Sequence, residues 1–199
     1  MYVLGLTGSI GMGKSTTAEM FRDENIAVWD ADAAVHELYT SHMDTIQKIA
    51  HFAPIAVGPD GVNRDALRTL LQADNALFSK LEKIVHPAIR MHRDAFLKKC
   101  RELNLLLVVV DIPLLYETEA EAWLDGVLVV STRPNTQRDR VMGRKGMTEA
   151  AFRMISSKQM PDAQKRERAD FIIETKTLEH VRCEVHNLIE KLTGERPNA

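Results

Sequence analysis

The stretch GSIGMGKS, residues 8–15, combines three glycines with a lysine and a hydroxyl side chain in the pattern G-x-x-x-x-G-K-S. Glycines let the backbone curl so that successive N–H groups converge on phosphate oxygens. In such a loop the lysine, Lys14, reaches the β and γ phosphates of a nucleotide, and the hydroxyl of Ser15 ligates Mg²⁺. The helix that follows adds the positive end of its dipole. The predicted nucleotide contacts are Gly8, Gly11, Met12, Gly13, Lys14, Ser15 and Thr16.

Aspartates follow two other apolar stretches. Asp30 and Asp32, in WDADAAVHEL, come where a second short strand is expected to end, and a carboxylate there can accept a proton from a substrate hydroxyl. The alternative is that one of the two caps the helix that starts near Ala33. Asp111 follows six aliphatic residues, LLLVVV. That position favours a role beside a magnesium ion over a turn with Pro113.

Positive charge is concentrated in residues 133–168, which hold ten Lys/Arg and four Asp/Glu in a chain of formal net charge −2. Arg140 and Arg144 are four residues apart, so on a helix they share a face and can bind one anion. The alternative to anion binding is that a basic side chain simply lies on a helix face in water. That alternative is favoured for Arg138, Arg153 and Lys165. The segment contains a single aromatic residue, so it lacks stacking platforms for bases, and nucleic-acid binding is not expected.

Five short apolar stretches are predicted to be the strands that position these groups. They are residues 2–7, 26–30, 105–111, 126–131 and 170–174. Continuous apolar runs of this length are typical of parallel strands buried on both faces by helices. The glycine-rich loop stands between the first strand and a helical pattern, which disfavours a glycine-rich turn without a ligand. Between the second and third strands about 70 residues lack a convincing strand, and their apolar spacing predicts a helical insert.

Length and composition agree with a cytoplasmic protein of one domain with a sizeable insert. The chain has 199 residues, 45% of them hydrophobic, which is enough to bury one good core. The two cysteines, Cys100 and Cys183, have neither a disulfide framework nor metal-ligand spacing. The opening lacks a basic region before its apolar stretch, so no secretory signal is expected. The longest aliphatic run is far below the roughly 20 residues of a membrane span, so no membrane contact is expected.

Six motifs, taken in order, resemble the dephospho-coenzyme A kinases over nearly the whole chain. They are GLTGSIGMGKST, DAD with His36 four residues on, VNRDALR (62–68), HPAIR (86–90), DIPLLYE (111–117) and RADFII (168–173). Members of that family transfer the γ phosphate of ATP to the ribose 3′-hydroxyl of dephospho-coenzyme A, the last step of coenzyme A biosynthesis. The small molecule dephospho-coenzyme A is therefore the implied partner.

The resemblance also implies an architecture. This is the α/β P-loop NTPase fold of nucleoside-monophosphate kinases: a five-stranded parallel sheet flanked by helices, with a helical acceptor domain and a small lid. Residues 1–32 and 104–199 would form the nucleotide-binding core, with the lid at about 140–165. Residues 33–103 would form the acceptor domain, with HPAIR at the start of one of its helices.

Individual roles follow from the same resemblance. Asp32 would be the base near the acceptor hydroxyl, with Lys14, Arg140 and Thr7 as the other catalytic residues. The remaining implied ligands are Arg144 for the nucleotide and Ser15 with Asp111 for Mg²⁺. The family often has asparagine where this chain has Thr175.

Two alternatives remain at this stage. One is a kinase of the same architecture with another acceptor, such as a nucleotide or a sugar. The other is a nucleotide-dependent binding protein whose basic segment grips RNA or a protein partner. A GTPase switch is not expected, because the chain has no Asn-Lys-x-Asp segment.

Overall fold

All five predicted strands are present in the computed structural model, which describes residues 1–194. In chain order the strands are β1 (Tyr2–Thr7), β2 (Ala27–Asp30), β3 (Val57–Gly58), β4 (Gly61–Val62), β5 (Leu107–Asp111), β6 (Gly126–Ser131) and β7 (Phe171–Glu174). The main sheet has the order β2-β5-β1-β6-β7, and the pairs β1–β5, β1–β6 and β6–β7 are parallel. The prediction of an α/β fold with a five-stranded parallel sheet is confirmed.

Helices flank this sheet and form most of the segment between β2 and β5. They are α1 (Lys14–Asp23), α2 (Ala31–Thr40), α3 (Met43–Phe52), α4 (Arg64–Ala73), α5 (Asn75–Glu102), α6 (Pro134–Met142), α7 (Glu149–Ser156), α8 (Asp162–Arg168) and α9 (Leu178–Thr193). The chain divides into two compact units. We call residues 1–29 with 100 onward the sheet unit, and Asp30–Lys99 the helical unit. The last five residues of the predicted core, 195–199, lie outside the described part.

The sheet unit buries both faces of its central strands. Along β6, Leu128 and Val130 pack in one cluster with residues of α1 and α9, whereas Val127 and Val129 pack in another with the segment that follows β5. This alternation follows from the two-residue period of a strand. It explains why every residue of β6 is apolar or small. Parallel pairing with β1, in which Thr7 stands opposite Val129, brings the end of β6 beside the loop that follows β1.

The helical unit has its own core and a hairpin that the sequence did not reveal. Residues from α2, α3, α4 and α5 pack around Ile49, which is fully buried. The antiparallel strands β3 and β4 stand in the stretch expected to lack strands. Gly61 allows the hairpin, because its φ is +96° and a Cβ atom there would lie 2.2 Å from the Tyr39 carbonyl oxygen. Two-residue strands are too short to give an apolar run.

Helix α5 corrects a second expectation. HPAIR does not start a helix, because Pro87 lies inside α5. A proline in a helix interior removes one main-chain hydrogen bond and disfavours the helix. Here the helix runs for 28 residues, and Leu81 and Val85 on the turns before the proline are buried in the core of the helical unit. Packing of an amphipathic face outweighs the local preference.

Candidate active site

The loop between β1 and α1 depends on backbone conformations that favour glycine. Gly11 and Gly13 have φ values of +80° and +91°, and a Cβ atom on Gly8 would lie 2.6 Å from a methyl group of Val130. Gly13 is the N-cap residue of α1 and has no side chain with which to cap the helix. Uncapped N–H groups at a helix N-terminus favour a bound anion. The loop therefore has the geometry that phosphate binding requires.

Lys14 and Asp111 meet beside this loop. The Lys14 ammonium lies 2.6 Å from Oδ1 of Asp111, a residue that is 1% exposed. Asp111 ends β5 in register with Leu6 of β1, so parallel pairing brings the end of β5 next to the loop that follows β1. The cation offsets part of the cost of burying the carboxylate. The predicted phosphate lysine and the predicted metal ligand are thus neighbours.

Three hydroxyl residues flank the loop in different environments. Thr7 is buried, and its Oγ1 donates a hydrogen bond to the Pro113 carbonyl oxygen at 3.2 Å. Ser15 and Thr16 are exposed in the first turn of α1. The Thr7 hydroxyl is therefore engaged with the segment after β5, while those of Ser15 and Thr16 are accessible to a ligand.

A cavity of about 380 Å³ is lined by the loop, α1, the end of α6 and the start of α9. Both predicted arginines, Arg140 and Arg144, line it, together with Gly11, Gly13 and Thr16. The prediction that the two arginines share a helix face is wrong, because α6 ends at Met142 and Gly143 is its C-cap residue. Arg144 reaches the same cavity from beyond the helix end.

Arg140 is held in place by Thr175, the residue that stands where the family often has asparagine. Its two terminal nitrogens donate to Oγ1 and to the carbonyl oxygen of Thr175, at 2.7 and 2.8 Å. The Thr175 hydroxyl in turn donates to the carbonyl oxygen of Met12 at 3.0 Å. Thr175 therefore connects the guanidinium group to the phosphate loop.

In the helical unit, the two aspartates of DAD have different environments. Asp30 is the N-cap residue of α2, and its Oδ1 accepts a hydrogen bond from the Ala33 N–H at 2.9 Å. Asp32 lies in the first turn and is exposed. Among the described residues, no hydrogen-bond donor to its carboxylate is found; the Arg64 guanidinium contacts only its main-chain oxygen, at 3.5 Å. The cap is thus Asp30, and the Asp32 carboxylate is accessible.

The basic segment is less uniform than the sequence suggests. Arg138 and Arg153 are exposed, as expected, and both lie near Glu149. The expectation of a solvated Lys165 is wrong: this residue is fully buried, with its ammonium 3.0 Å from Oε1 of Glu117. A buried ammonium needs an anionic neighbour, and Glu117, the last residue of DIPLLYE, supplies it. Lys165 and Glu117 are far apart in the sequence, so no local pattern predicts that they pair.

A buried tyrosine lies in the same region. Burial raises the pKa of the Tyr116 hydroxyl to about 12, although the guanidinium of Arg168, 4.7 Å from the centre of the ring, opposes the shift. Tyr116 therefore stays neutral at physiological pH, and we assign it to packing rather than to proton transfer.

The described residues contain neither a cluster of metal ligands nor a membrane-spanning helix. Between residues 1 and 194, no group of three or more His, Cys, Asp or Glu residues is arranged to hold a metal ion. None of the helices in that part of the chain has the length and apolarity that crossing a bilayer requires.

Comparisons of sequence identify one family. Residues 2–179 match the family described as Dephospho-CoA kinase. A protein of that name from Cereibacter sphaeroides is 50% identical over 186 residues, which cover 94% of this chain and 93% of that protein. Another, from Agrobacterium fabrum, is 45% identical over 193 residues, which cover 96% and 98%.

Solved structures agree in fold. A Thermus thermophilus protein has a TM-score of 0.81 and 31% identity, and the alignment covers 97% of this chain and 98% of that one. A Dephospho-CoA kinase from Campylobacter jejuni has a TM-score of 0.68 with the same coverage. At 22% identity, the second likeness supports the architecture alone.

Proposed function

The chain belongs to the dephospho-CoA kinase family, and we propose that the phosphate loop, Lys14 and Asp111 form its ATP site. The family predicted from the six motifs is confirmed. The activity is ATP-dependent phosphorylation of the ribose 3′-hydroxyl of dephospho-CoA, the last step of CoA biosynthesis. ATP is the phosphoryl donor and dephospho-CoA is the acceptor.

The observation that carries the site assignment is the Lys14–Asp111 pair beside the uncapped N-terminus of α1. Phosphoryl transfer asks little covalent chemistry of a protein, and mainly positioning and charge stabilisation. In this proposal the main-chain N–H groups between Gly11 and Thr16 bind phosphate oxygens. Lys14 stabilises the negative charge on the transferring phosphoryl group.

Ser15 and Asp111 are the residues that would hold Mg²⁺. Both offer the oxygen ligands that this ion prefers, and kinase sites combine one or two protein ligands with phosphates and water. The buried Asp111 carboxylate already stabilises a cation, since the Lys14 ammonium is 2.6 Å from it; the donor set therefore fits the ion. When bound, Mg²⁺ neutralises charge on the phosphate oxygens.

Asp32 is the proposed base for the acceptor hydroxyl. Asp30 already caps α2, so the Asp32 carboxylate is not needed there and can accept the proton as the hydroxyl attacks phosphorus. Its place in the DAD motif supports the same assignment. The base is the part of the mechanism that only substitution can test directly.

Three further residues complete the proposal. Arg140 stabilises charge on the transferring phosphoryl group, and its bonds to Thr175 hold the guanidinium in place before the reaction. Arg144 contributes to nucleotide binding from the cavity that it lines. Thr7 lies just before the phosphate loop, near the reacting groups.

We also propose roles for the larger segments. Residues 33–103 form the acceptor domain, and residues 140–165, which include α7, form the lid. A lid that closes over the nucleotide excludes water and so suppresses ATP hydrolysis. The location predicted from the composition is the cytoplasm.

The test is a coupled assay that follows ADP release with dephospho-CoA, nucleotides and sugars as acceptors. We expect rapid turnover with dephospho-CoA alone, and a product that carries phosphate on the 3′-hydroxyl. Exposed Arg182 provides a control for Lys14, because it also pairs with an aspartate, at 2.8 Å, but does not line the cavity beside the phosphate loop. Faster turnover with another acceptor, or full activity of Lys14→Ala, would contradict the proposal.

A further inference from the structure

Two glutamines that no motif singles out bond to the main chain of the same residue of the phosphate loop, Ile10. The Ile10 N–H donates to Oε1 of Gln159 at 3.0 Å, and Nε2 of Gln137 donates to the Ile10 carbonyl oxygen at 2.8 Å. The main chain fixes the orientation of both amides, because an N–H can only donate and a carbonyl can only accept. Ile10 thus has its two main-chain groups bonded to two separate elements.

The two glutamines stand on either side of α7 in the sequence. Gln137 belongs to α6, which also lies against the loop: a Cβ atom on Gly11 would be 2.5 Å from a methyl group of Val141. Gln159 lies between α7 and α8. Both ends of the segment that carries α7 therefore bond to one residue of the phosphate loop.

The position of Gln159 is itself fixed by the segment that follows β5. The N–H of the next residue, Met160, donates to Oε1 of Glu117 at 2.6 Å. The same oxygen is 3.0 Å from the buried Lys165 ammonium. The Met160 N–H therefore donates to a charged carboxylate, and such a hydrogen bond is stronger than one between neutral groups. It holds the main chain of Gln159 where the Gln159 side chain reaches Ile10.

We infer that Gln137 and Gln159 are positioning residues for the phosphate loop. Neither needs to touch the nucleotide. By fixing the two peptide groups that flank Ile10 they restrict the backbone that presents the following N–H groups to phosphate, which reduces the reorganisation that binding requires. The inference rests on the proposed ATP site, but not on the identity of the acceptor.

The opposite polarity of the two bonds gives a charge-matched test. Gln159→Glu keeps an oxygen that accepts from the Ile10 N–H. Gln137→Glu replaces the donor with an oxygen that faces the Ile10 carbonyl oxygen, so it loses the bond and adds a repulsion. Both substitutions add one negative charge, and Gln164→Glu, on an exposed residue of α8, controls for charge alone. Gln159→Leu removes the acceptor without adding charge.

The measurements are the ATP dissociation constant by calorimetry, KM for ATP and kcat, and exchange of the Ile10 amide proton by NMR, all on the full chain. We expect Gln137→Glu and Gln159→Leu to weaken ATP binding roughly 3- to 10-fold, the effect of one hydrogen bond. KM for ATP should rise more than kcat falls. Gln159→Leu should also speed exchange of the Ile10 amide proton. Gln159→Glu should lose less ATP affinity than Gln137→Glu. The charge control, Gln164→Glu, should bind ATP as tightly as the parent.

Equal losses of ATP affinity in the three glutamate variants would assign the effect to charge and overturn the inference. Parental ATP affinity in both Gln137→Glu and Gln159→Leu would also overturn it. If Gln159→Leu does not fold, the contrast between Gln137→Glu and Gln159→Glu decides. Calorimetry and exchange require no acceptor, so failure of dephospho-CoA as a substrate would leave this test intact. Absence of ATP binding by the parent chain would instead remove the proposed ATP site.

Discussion

The N-termini of α1 and α2 are built in opposite ways, although each helix follows a strand of the same sheet. Helix α1 begins after a glycine in the left-handed region, and Gly13 has no side chain to bond the first turn. Helix α2 begins directly after β2, where the Asp30 carboxylate accepts from the Ala33 N–H at 2.9 Å. The first helix end is open to an external anion, and the second is closed by its own residue.

The difference indicates what each end can do. An uncapped N-terminus has N–H groups and a positive dipole for phosphate, and Lys14 in its first turn adds a full charge. A capped N-terminus satisfies one of its own donors, so the next carboxylate along, Asp32, is not needed for structure. We therefore expect substitutions at α1 to affect phosphate chemistry, and substitutions at α2 to separate proton transfer from stability.

The largest expected effect is at α1. Lys14→Ala should abolish measurable phosphoryl transfer, because the loop loses the charge that stabilises the γ phosphate. Since the ammonium also pairs with the buried Asp111, some loss of stability should accompany it. Circular dichroism and thermal unfolding establish that the variant is folded. Near-normal turnover of a folded Lys14→Ala chain would break the assignment of α1 as the phosphate end.

At α2 the first test is Asp32→Asn. The change keeps size and most hydrogen-bonding capacity and removes the basic oxygen, so kcat should fall by roughly 10² to 10⁴. ATP binding, measured by calorimetry, should hardly change. The free energy of unfolding should fall by no more than about 1 kcal/mol, because Asp30 is the cap and the change removes only an acidic charge from the first turn of α2. Normal kcat with a large loss of stability would make Asp32 a structural residue and remove the contrast.

Arg140→Ala tests whether a second positive charge, besides Lys14, acts beside the N-terminus of α1. We expect kcat to fall on the order of a hundredfold or more, with a smaller effect on the ATP dissociation constant, because the guanidinium stabilises charge that develops during transfer. Arg138→Ala, two residues away and exposed beside Glu149, is the control that removes the same side chain from the same helix. Equal kcat values for the two variants would return Arg140 to the role of a solvated helix residue.

The sequence predicted the sheet and the phosphate loop because both depend on local patterns. Val108, Val109 and Val110 are fully buried, and a run that is buried on both faces must be apolar throughout. The phosphate loop could be predicted for a similar reason, because its geometry needs glycine at fixed positions. Structure can be predicted from the sequence where burial or backbone conformation limits which residue types a position can hold.

Contacts between distant residues left no such record. The bonds from Gln159 and Gln137 to Ile10 span 149 and 127 residues, and their partner is main chain that any residue would offer. Lys165 stands in a run of charged residues, and nothing in that run distinguishes it from its neighbours, although it is fully buried beside Glu117. In each case three-dimensional packing gives an ordinary polar residue a role that its sequence neighbours do not indicate.

The smallest expected effect sharpens the contrast within α2 itself. Asp30→Ala removes the acceptor for the Ala33 N–H and should lower the free energy of unfolding by about 1 kcal/mol. Asp30→Asn should lower it less, because asparagine caps a helix about as well as aspartate. Urea denaturation of the full chain measures both. The control is Asp44→Ala, which removes an acid from the first turn of α3, where His42 is the cap, and should change stability by no more than about 0.5 kcal/mol.

Turnover of the same variants decides which aspartate is the base. If Asp30 acts only as a cap, Asp30→Asn keeps both the bond to the Ala33 N–H and the position of Asp32, so kcat should stay within about twofold of the parent, as for other conservative changes outside the chemistry. Asp30→Ala does not separate the two roles, because fraying of the first turn would also displace Asp32. A folded Asp30→Asn chain without activity, beside an active but unstable Asp32→Asn chain, would show that base and cap had been assigned to the wrong members of the pair. The two asparagine variants thus separate the roles, because each keeps the size of the carboxylate and one accepting oxygen, which suffices for a cap, and loses the charge and the basic oxygen that a proton acceptor needs.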